Sequence, residues 1–370
     1  MMMWFFLSVP FGGTNMGPDL SAGEGPDAGI YATDFTQYAK HVLKGNFTST
    51  AATAYMSGGS VTMNLSTIPA GAHVAAAYLF WAGQTNALDE FANINFAGNP
   101  ITGAVIGYDC SDCWNTAYAS LYACDVTGYV TGNGSYVING FNSLGDHIPG
   151  VDGFTLVVVY TDPTPTVMRV VSIWTGYIDL EGCGPSDTFW VQSGFQATNP
   201  IGDAKAALTI NDPQDGMKNF ANFNGNFVAY FDGTNPGNHW GHWEGDVSAW
   251  MSGGDNSATW YVERACPSGC DCIAPVMSVI SVTTTESGTN ESPAEKNQKP
   301  VIAGVVPGGI RLLGAPGATV RVNLYDVIGR TAYSDNISLS EEGIGFIPSG
   351  RGIWFVIAEG YGVVGKAMVP

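Results

Sequence analysis

Apolar and polar residues alternate in short runs along most of the chain. Val61, Met63 and Leu65 are separated by polar residues, and Val74 to Trp81 forms a longer apolar stretch carrying Tyr78, Phe80 and Trp81. Alternation with a period of two marks a strand with one buried face, and an unbroken apolar run between turns marks a strand buried on both. Phe154 to Tyr160, interrupted by Thr155, predicts such a buried strand. Turn signals recur at Gly98-Asn99-Pro100, Gly132-Asn133-Gly134, Asp162-Pro163, Asn211-Asp212-Pro213 and Gly253-Gly254-Asp255. Many short strands in that rhythm predict an all-β protein of sandwich type. One segment, Phe35 to Leu43, spaces its apolar residues as a short amphipathic helix would.

Two stretches resemble each other, Asp125-Val126-Thr127-Gly128-Tyr129 and Asp246-Val247-Ser248-Ala249-Trp250. Each precedes a β-rich run and follows an aromatic, Asn-rich segment, Phe91 to Asn99 and Phe220 to Phe227, which suggests a body over 28–283 made of two related sandwich halves joined near 160–185. An Asp before Val-Thr or Val-Ser can bond its own backbone, so a turn-fixing role is expected of both units. Residues 284–303 read as a flexible linker, since 281–300 is rich in Ser, Thr, Glu and Asn and poor in apolar residues. Strand patterns return over 304–370 as a small immunoglobulin-like C-terminal sandwich. Residues 1–27 read as a residual leader or extended N-terminus: Met1 to Pro10 is apolar, but no basic residue precedes Lys40.

Charge narrows the partners. With 13 Lys plus Arg against 32 Asp plus Glu, the net charge of −19 repels phosphate backbones and anionic lipid. No apolar run approaches the roughly 20 residues of a membrane span. An acidic surface rich in Asn and Asp suits calcium, and is equally a plain solubility device. The seven cysteines, Cys110, Cys113, Cys124, Cys183, Cys266, Cys270 and Cys272, predict disulfides and an oxidising compartment, with the connectivity open. Zinc held by Cys110, Cys113, Cys270 and Cys272 is the weaker alternative, because Cys270-x-Cys272 is too tight for the usual knuckle.

In the last domain, Val320 to Arg330 alternates into a turn with Leu324-Tyr325-Asp326 followed by Gly329-Arg330. Pro348-Ser349-Gly350, an aromatic strand opening at Gly352, and Lys366 follow. This ordered set resembles the C-terminal sorting domain of proteins exported by the type IX secretion system. The resemblance implies a small β-sandwich read by an outer-membrane translocon, hence a bacterial protein that is secreted or held on the cell surface. Gly352-Ile353-Trp354 replaces the family's frequent Gly-x-Tyr, and Val306-Pro307-Gly308-Gly309 stands where Pro-Asn-Pro is usual. The body is similar, more loosely, to an uncharacterised β-rich domain of large microbial surface proteins and adhesins, through Ala76 to Gly83, Gly153 to Pro163 and the repeated Asp-Val-Thr/Ser unit.

The chain lacks Gly-x-Ser-x-Gly and His-Glu-x-x-His. Its densest polar cluster is Asn238 to Asp246, in which His239, His242, Glu244 and Asp246 could hold a metal or ligand if Gly241 turns the chain. Trp240 and Trp243 could stack on sugar rings, although core packing is the commoner fate of Trp. Asp179, Glu181, Glu244 and Asp246 are carboxylates of the kind a glycosidase needs, but their separation cannot be read from sequence. The expected function is therefore a non-enzymatic surface protein in adhesion, surface coating or glycan contact, with a secreted hydrolase and a filament or surface-layer subunit as alternatives.

Overall fold

A computed structural model describes residues 33–286 apart from 112, 165–166, 181–185 and 266–270. Beyond these it describes 290–291, 301–306, 309–313, 319–325, 330–340, 344–349, 352–358 and 362–369. Among the described residues the chain is antiparallel β throughout, with no α-helix and with two single turns of 3-10 helix at Thr127–Tyr129 and Ser248–Trp250. None of its helices is long and apolar enough to cross a membrane.

After strand β1 (Thr33–Leu43) come nine strands: β2 (Gly45–Thr53), β3 (Ser60–Leu65), β4 (His73–Thr85), β5 (Asn93–Phe96), β6 (Asn99–Thr102), β7 (Ala104–Ser111), β8 (Thr116–Asp125), β9 (Gly134–Asn139) and β10 (Gly150–Thr161). Nine more follow: β11 (Met168–Tyr177), β12 (Asp187–Ser193), β13 (Ala204–Asn211), β14 (Asn219–Phe223), β15 (Asn226–Phe231), β16 (Pro236–Gly237), β17 (Trp240–Asp246), β18 (Ser257–Glu263) and β19 (Ala274–Thr284). The first nine form an inner sheet β2-β10-β4-β8-β7 and an outer sheet β3-β9-β5-β6. The second nine repeat that order strand for strand, as β11-β19-β13-β17-β16 and β12-β18-β14-β15. Strand β1 extends the second inner sheet beside β11, and β20 (Asn290–Glu291) pairs with β1.

The match extends to single hydrogen bonds. Asp125 Oδ1 accepts from the Thr127 N–H and Asp246 Oδ1 from the Ser248 N–H, both at 2.8 Å. The Thr127 hydroxyl then accepts from Ala77 N–H at 2.9 Å, and the Ser248 hydroxyl from Ala204 N–H at 2.8 Å. Each repeated unit thus tucks its 3-10 turn against the equivalent central strand of its inner sheet, β4 or β13. Both outer-sheet hairpins turn through two residues of positive φ, Ala97-Gly98 and Asn224-Gly225, the signature of a type I′ turn. Each follows a fully buried phenylalanine, Phe96 or Phe223.

Three cores result from four stacked sheets. Met63, Trp81, Phe96, Tyr122, Ile138 and Phe154 fill the first sandwich. Leu208, Phe223, Trp260, Val262 and Ile280 fill the second. Between the inner sheets lie Phe47, Tyr78, Phe80, Val157, Val159, Ile173, Tyr177, Trp240 and Val279. Strand β10, containing the predicted Phe154–Tyr160 run, sends Phe154, Leu156 and Val158 to the first core and Val157 and Val159 to the middle one.

The helix expected over Phe35–Leu43 is strand β1 instead. Two irregularities against β11, between Thr33 and Thr36 and between Gln37 and Ala39, break the period of two. Phe35 and Val42 reach the second sandwich core while Ala39 and Leu43 reach the middle core. A bulged strand serving two cores spaces its apolar residues as a helix would.

The C-terminal region forms two further sheets. One is β21 (Val301–Val306), β22 (Gly309–Leu313) and β25 (Ile344–Pro348). The other orders β24 (Thr331–Ser338), β23 (Thr319–Tyr325), β26 (Gly352–Ala358) and β27 (Gly362–Val369). Leu324 joins Ile310, Leu312, Val320, Val322, Ile337, Ile347 and Val356 in its core. Tyr325 closes β23, Arg330 and Pro348 are exposed, Gly352 opens β26 and Lys366 lies in β27. Asp326, Gly329 and Gly350 lie outside the described residues, as does the 1–27 segment.

Candidate functional site

The densest buried polar group lies where the two inner sheets meet. Asp152 is the extra residue of a bulge in β10, between Val151 and Gly153, and is fully buried. Its Oδ2 accepts from Gln84 Nε2 at 3.4 Å, and its Oδ1 has no hydrogen-bond partner. Asn211, at the end of β13, lies beside it. Asn211 Nδ2 donates to the Tyr177 hydroxyl at 2.6 Å, while its Oδ1 is also without a partner.

Asp212 and His239 complete the group. Both carry positive φ, 60° and 65°, a region that non-glycine residues seldom occupy. Their backbones interlock: Asp212 N–H donates to His239 C=O and His239 N–H donates to Pro213 C=O, both at 2.9 Å. His239 Nδ1 meets Asp212 Oδ1 directly, and Trp114 Nε1 donates to Asp212 Oδ2 at 2.6 Å. The imidazole is packed by Tyr55 and Trp114, with ring centroids at 4.0 and 5.2 Å. One donor atom from each of Asp152, Asp212 and His239 falls within 4.8 Å of the other two.

Burial drives the electrostatics here. It pushes the Asp152 carboxyl well above the usual range, helped by Asp212 and opposed by His239. It holds the His239 imidazole below its ordinary value, against the pull of Asp152 and Asp271. It also raises Asp271, although that carboxylate accepts from Asn219 Nδ2 at 2.6 Å, Gln214 N–H at 3.0 Å and Cys272 N–H at 3.1 Å.

The four residues singled out between Asn238 and Asp246 do not form one site. His239 precedes β17 and turns into the group above. His242 and Glu244 share a face of β17 and meet Ser49 on β2, whose hydroxyl lies 2.9 Å from His242 Nε2 and donates to Glu244 Oε2 at 2.5 Å. Lys205 pairs with Glu244 at 2.5 Å, and Thr209 Oγ1 lies 3.0 Å from His242 Nδ1. Ser49 and His242 have the spacing of a nucleophile and base, but the carboxylate engages the serine instead of orienting the imidazole. Asp246 is spent on the turn at Ser248. Loop aspartates Asp125, Asp162 and Asp232 are engaged in the same way, each accepting from the N–H two residues on.

Trp240 is fully buried in the middle core and donates to Thr155 Oγ1 at 3.0 Å. Trp243 packs on the second sandwich core, edge-on to Trp260. Trp240 thus offers no face for stacking, and Trp243 is half-buried against that core. Cys113 and Cys272 form a disulfide and Cys110 is disulfide-bonded, which removes thiolates that the zinc alternative needed. Cys124 is free; Cys183, Cys266 and Cys270 lie outside the described residues, as does Glu181. Gln84, Cys110, Trp114, Tyr177, Asp179 and Asp212 line a crevice of about 20 Å³. That is room for a water or an ion, whereas pockets for organic ligands run from roughly 300 Å³.

A second feature faces solvent. On the outer sheet of the second half, Phe189, Tyr230 and Phe227 are 70%, 55% and 51% exposed. Register places Phe189 opposite Tyr261 and Phe220 opposite Tyr230, and the Phe220 and Tyr261 rings lie 5.9 Å apart. Phe227 and Tyr230 are 4.9 Å apart, and Lys218 Nζ sits 5.8 Å from the Tyr230 ring. Asp187 and Glu263 flank the row and accept from the Tyr261 hydroxyl at 2.9 and 2.5 Å. The equivalent outward positions of the first half are mostly polar: Ser60, Thr62, Asn64, Asn93, Thr102 and Ser135.

Of the buried group, sequence reasoning singled out His239 but not its partners, and it missed the aromatic face. Asp152 sits in Gly-Val-Asp-Gly, Asp212 sits in a turn signal, and the exposed aromatics are single residues on different strands.

The family described as "Protein of unknown function (DUF3344)" matches residues 22–283, the whole duplicated body. No curated protein matches the chain. Among solved structures, a Faecalibacterium prausnitzii β-glucuronidase is similar at 14% identity and TM-score 0.22, over 50% of this chain and 37% of that one. A Ruminococcus gnavus β-glucuronidase is similar at 11% identity and TM-score 0.17, over 49% of this chain and 34% of that one. This chain therefore spans little more than a third of those enzymes, and scores so low carry no inference about activity.

Proposed function

For a chain that belongs to the DUF3344 family, whose function is unknown, we propose a non-enzymatic role at the bacterial cell surface, in which the aromatic face of the second outer sheet contacts glycan. The observation that carries this reading is the row Phe189, Tyr261, Phe220, Tyr230 and Phe227, laid across the outer sheet and set among Asp187, Glu263, Asn222 and Lys218. Ring faces stack on the apolar faces of sugars while the flanking polar groups take hydroxyls. Strands with one buried face ordinarily place polar residues outward, as the first half does, so the aromatic row is not demanded by the fold. The 20 Å³ crevice argues against a substrate pocket beside the buried carboxylates.

The test is binding of the intact protein to an immobilised glycan array, with Phe189→Ala/Tyr230→Ala as the variant. Both side chains are exposed, so the fold should survive. Loss of most of the bound signal supports the reading; a wild-type protein that binds no glycan, or a variant that binds equally, refutes it.

The type IX-like C-terminal domain is proposed as the address. Deleting residues 304–370 should strand the body in the periplasm of a type IX-competent host, and unchanged surface delivery would sink that part.

A further inference from the structure

Two buried carboxylates, a buried imidazole and two acceptor oxygens without donors make a group short of positive charge. Asp152 and Asn211 are fully buried, and Asp152 Oδ1 and Asn211 Oδ1 accept nothing. An acceptor left bare in the interior gives up its hydration without a replacement, at a cost that is larger when it is charged. The fold does not impose this. The duplicated bulge in β19 carries Val276 where β10 carries Asp152. In the same superposition of ladders, Asn211, Asp212 and His239 correspond to Gln84, Thr85 and Tyr118. Among the described residues the donor set exists once, on residues contributed by both halves.

We propose that Asp152, Asp212 and His239 form a structural site for a borderline divalent cation, zinc being the ion that fits best. One imidazole nitrogen and two carboxylate oxygens suit zinc, with a water completing the tetrahedron. Calcium takes about six to eight oxygen ligands and would find too few here. A double positive charge offsets the two carboxylates, and the bare Asp152 oxygen gains a partner. The supporting contacts are those a bound metal requires: Trp114 Nε1 fixes Asp212 and Gln84 Nε2 fixes Asp152. Asp212 and the supporting Gln84 and Trp114 also line the crevice of about 20 Å³. Asp152 comes from the first half and the other donors from the second, so the ion would clamp the halves at the end where Cys113 and Cys272 are joined.

The experiment uses the full chain with its disulfides intact, loaded with zinc, desalted, and analysed by elemental mass spectrometry. About one zinc per chain should be retained, and chelation should lower the melting temperature reversibly. Asp152→Asn and His239→Gln should lose the ion. Trp114→Phe, which removes one supporting hydrogen bond, should weaken binding roughly tenfold and keeps a readout if the other variants fail to fold. Cobalt in place of zinc should show d–d bands without thiolate charge transfer. Folded wild-type protein that retains no zinc, retention unchanged in Asp152→Asn, or a thiolate band would each overturn the site.

Discussion

At the residue scale, the histidines show how burial sets chemistry. His41 lies in the middle layer with its Nε2 3.0 Å from the Tyr78 hydroxyl, and His242 bridges Thr209 and Ser49. Burial is the leading cause in both cases and pulls each imidazole down to about 4, against Asp125 for His41 and Glu244 for His242. The unfolded chain takes up these protons near the ordinary value of about 6.5, whereas the native chain waits until about 4. Between those limits the unfolded state binds more protons, so this contribution to stability is lost as pH falls from about 6.5 to about 4. Asp152 and Asp271 have raised values and act with the opposite sign: burying them destabilises the fold as pH rises above the usual carboxylate range. The calorimetric melting temperature mixes both contributions, so NMR titration of the ring protons is the sharper measurement. Two imidazoles should titrate near 4. Midpoints near 6.5 for both would show that water reaches these rings.

At the element scale, the duplication is a built-in comparison. Ala97 and Asn224 occupy the same hairpin position with φ of 49° and 48°. Asn visits that left-handed region with less penalty than Ala, and Asn-Gly is the preferred type I′ pair. Ala97→Asn should therefore stabilise the first outer sheet, by about 0.5–1 kcal/mol. A raised urea midpoint at constant slope is the expected outcome, and a lowered midpoint would mean the turn is not the one described. The same elements show what was legible in the sequence. The Asp-Val-Thr/Ser units announced themselves because the aspartate bonds locally, within two residues. Strand β10 was legible because both its faces are apolar. The bulges of β1 were not, because slipping a strand by one residue changes which core a side chain meets without changing composition. Of the metal-type donor set His239 was singled out, but its partners were illegible for a related reason: Asp152 points inward through a bulge, and Asp212 is brought to His239 only by a backbone pairing that continues the β13–β17 ladder. The outer-sheet aromatics gave no warning because in and out are set by the strand's neighbours, and Phe189 alternates with the buried Trp190 as naturally as the reverse.

At the scale of the whole molecule, the two halves are not separable units, and this can be tested directly. Strand β1 precedes the first half in sequence yet pairs along β11 of the second, from Thr33 opposite Tyr177 to Leu43 opposite Arg169. The middle core places Phe47, Tyr78, Phe80, Val157 and Val159 of one half against Ile173, Tyr177, Trp240 and Val279 of the other. Each large apolar side chain withdrawn from water contributes roughly 1.5–3 kcal/mol, so five on one side give on the order of 10 kcal/mol before the ladder is added. Holding two bodies together costs about 4–15 kcal/mol, so burial and ladder together should keep the halves joined without a peptide link. A protease site placed in the connection between β10 and β11, followed by cleavage and reduction of the Cys113–Cys272 bond, is expected to leave both fragments eluting as one particle of unchanged size. Separation of the fragments would instead assign the union of the halves to covalent links, and would make each half a domain in its own right. The same cleaved protein bears on the ion: if zinc clamps the halves, removing it should make the nicked particle dissociate at a lower urea concentration than the zinc-loaded one, while the uncut chain shows a smaller shift.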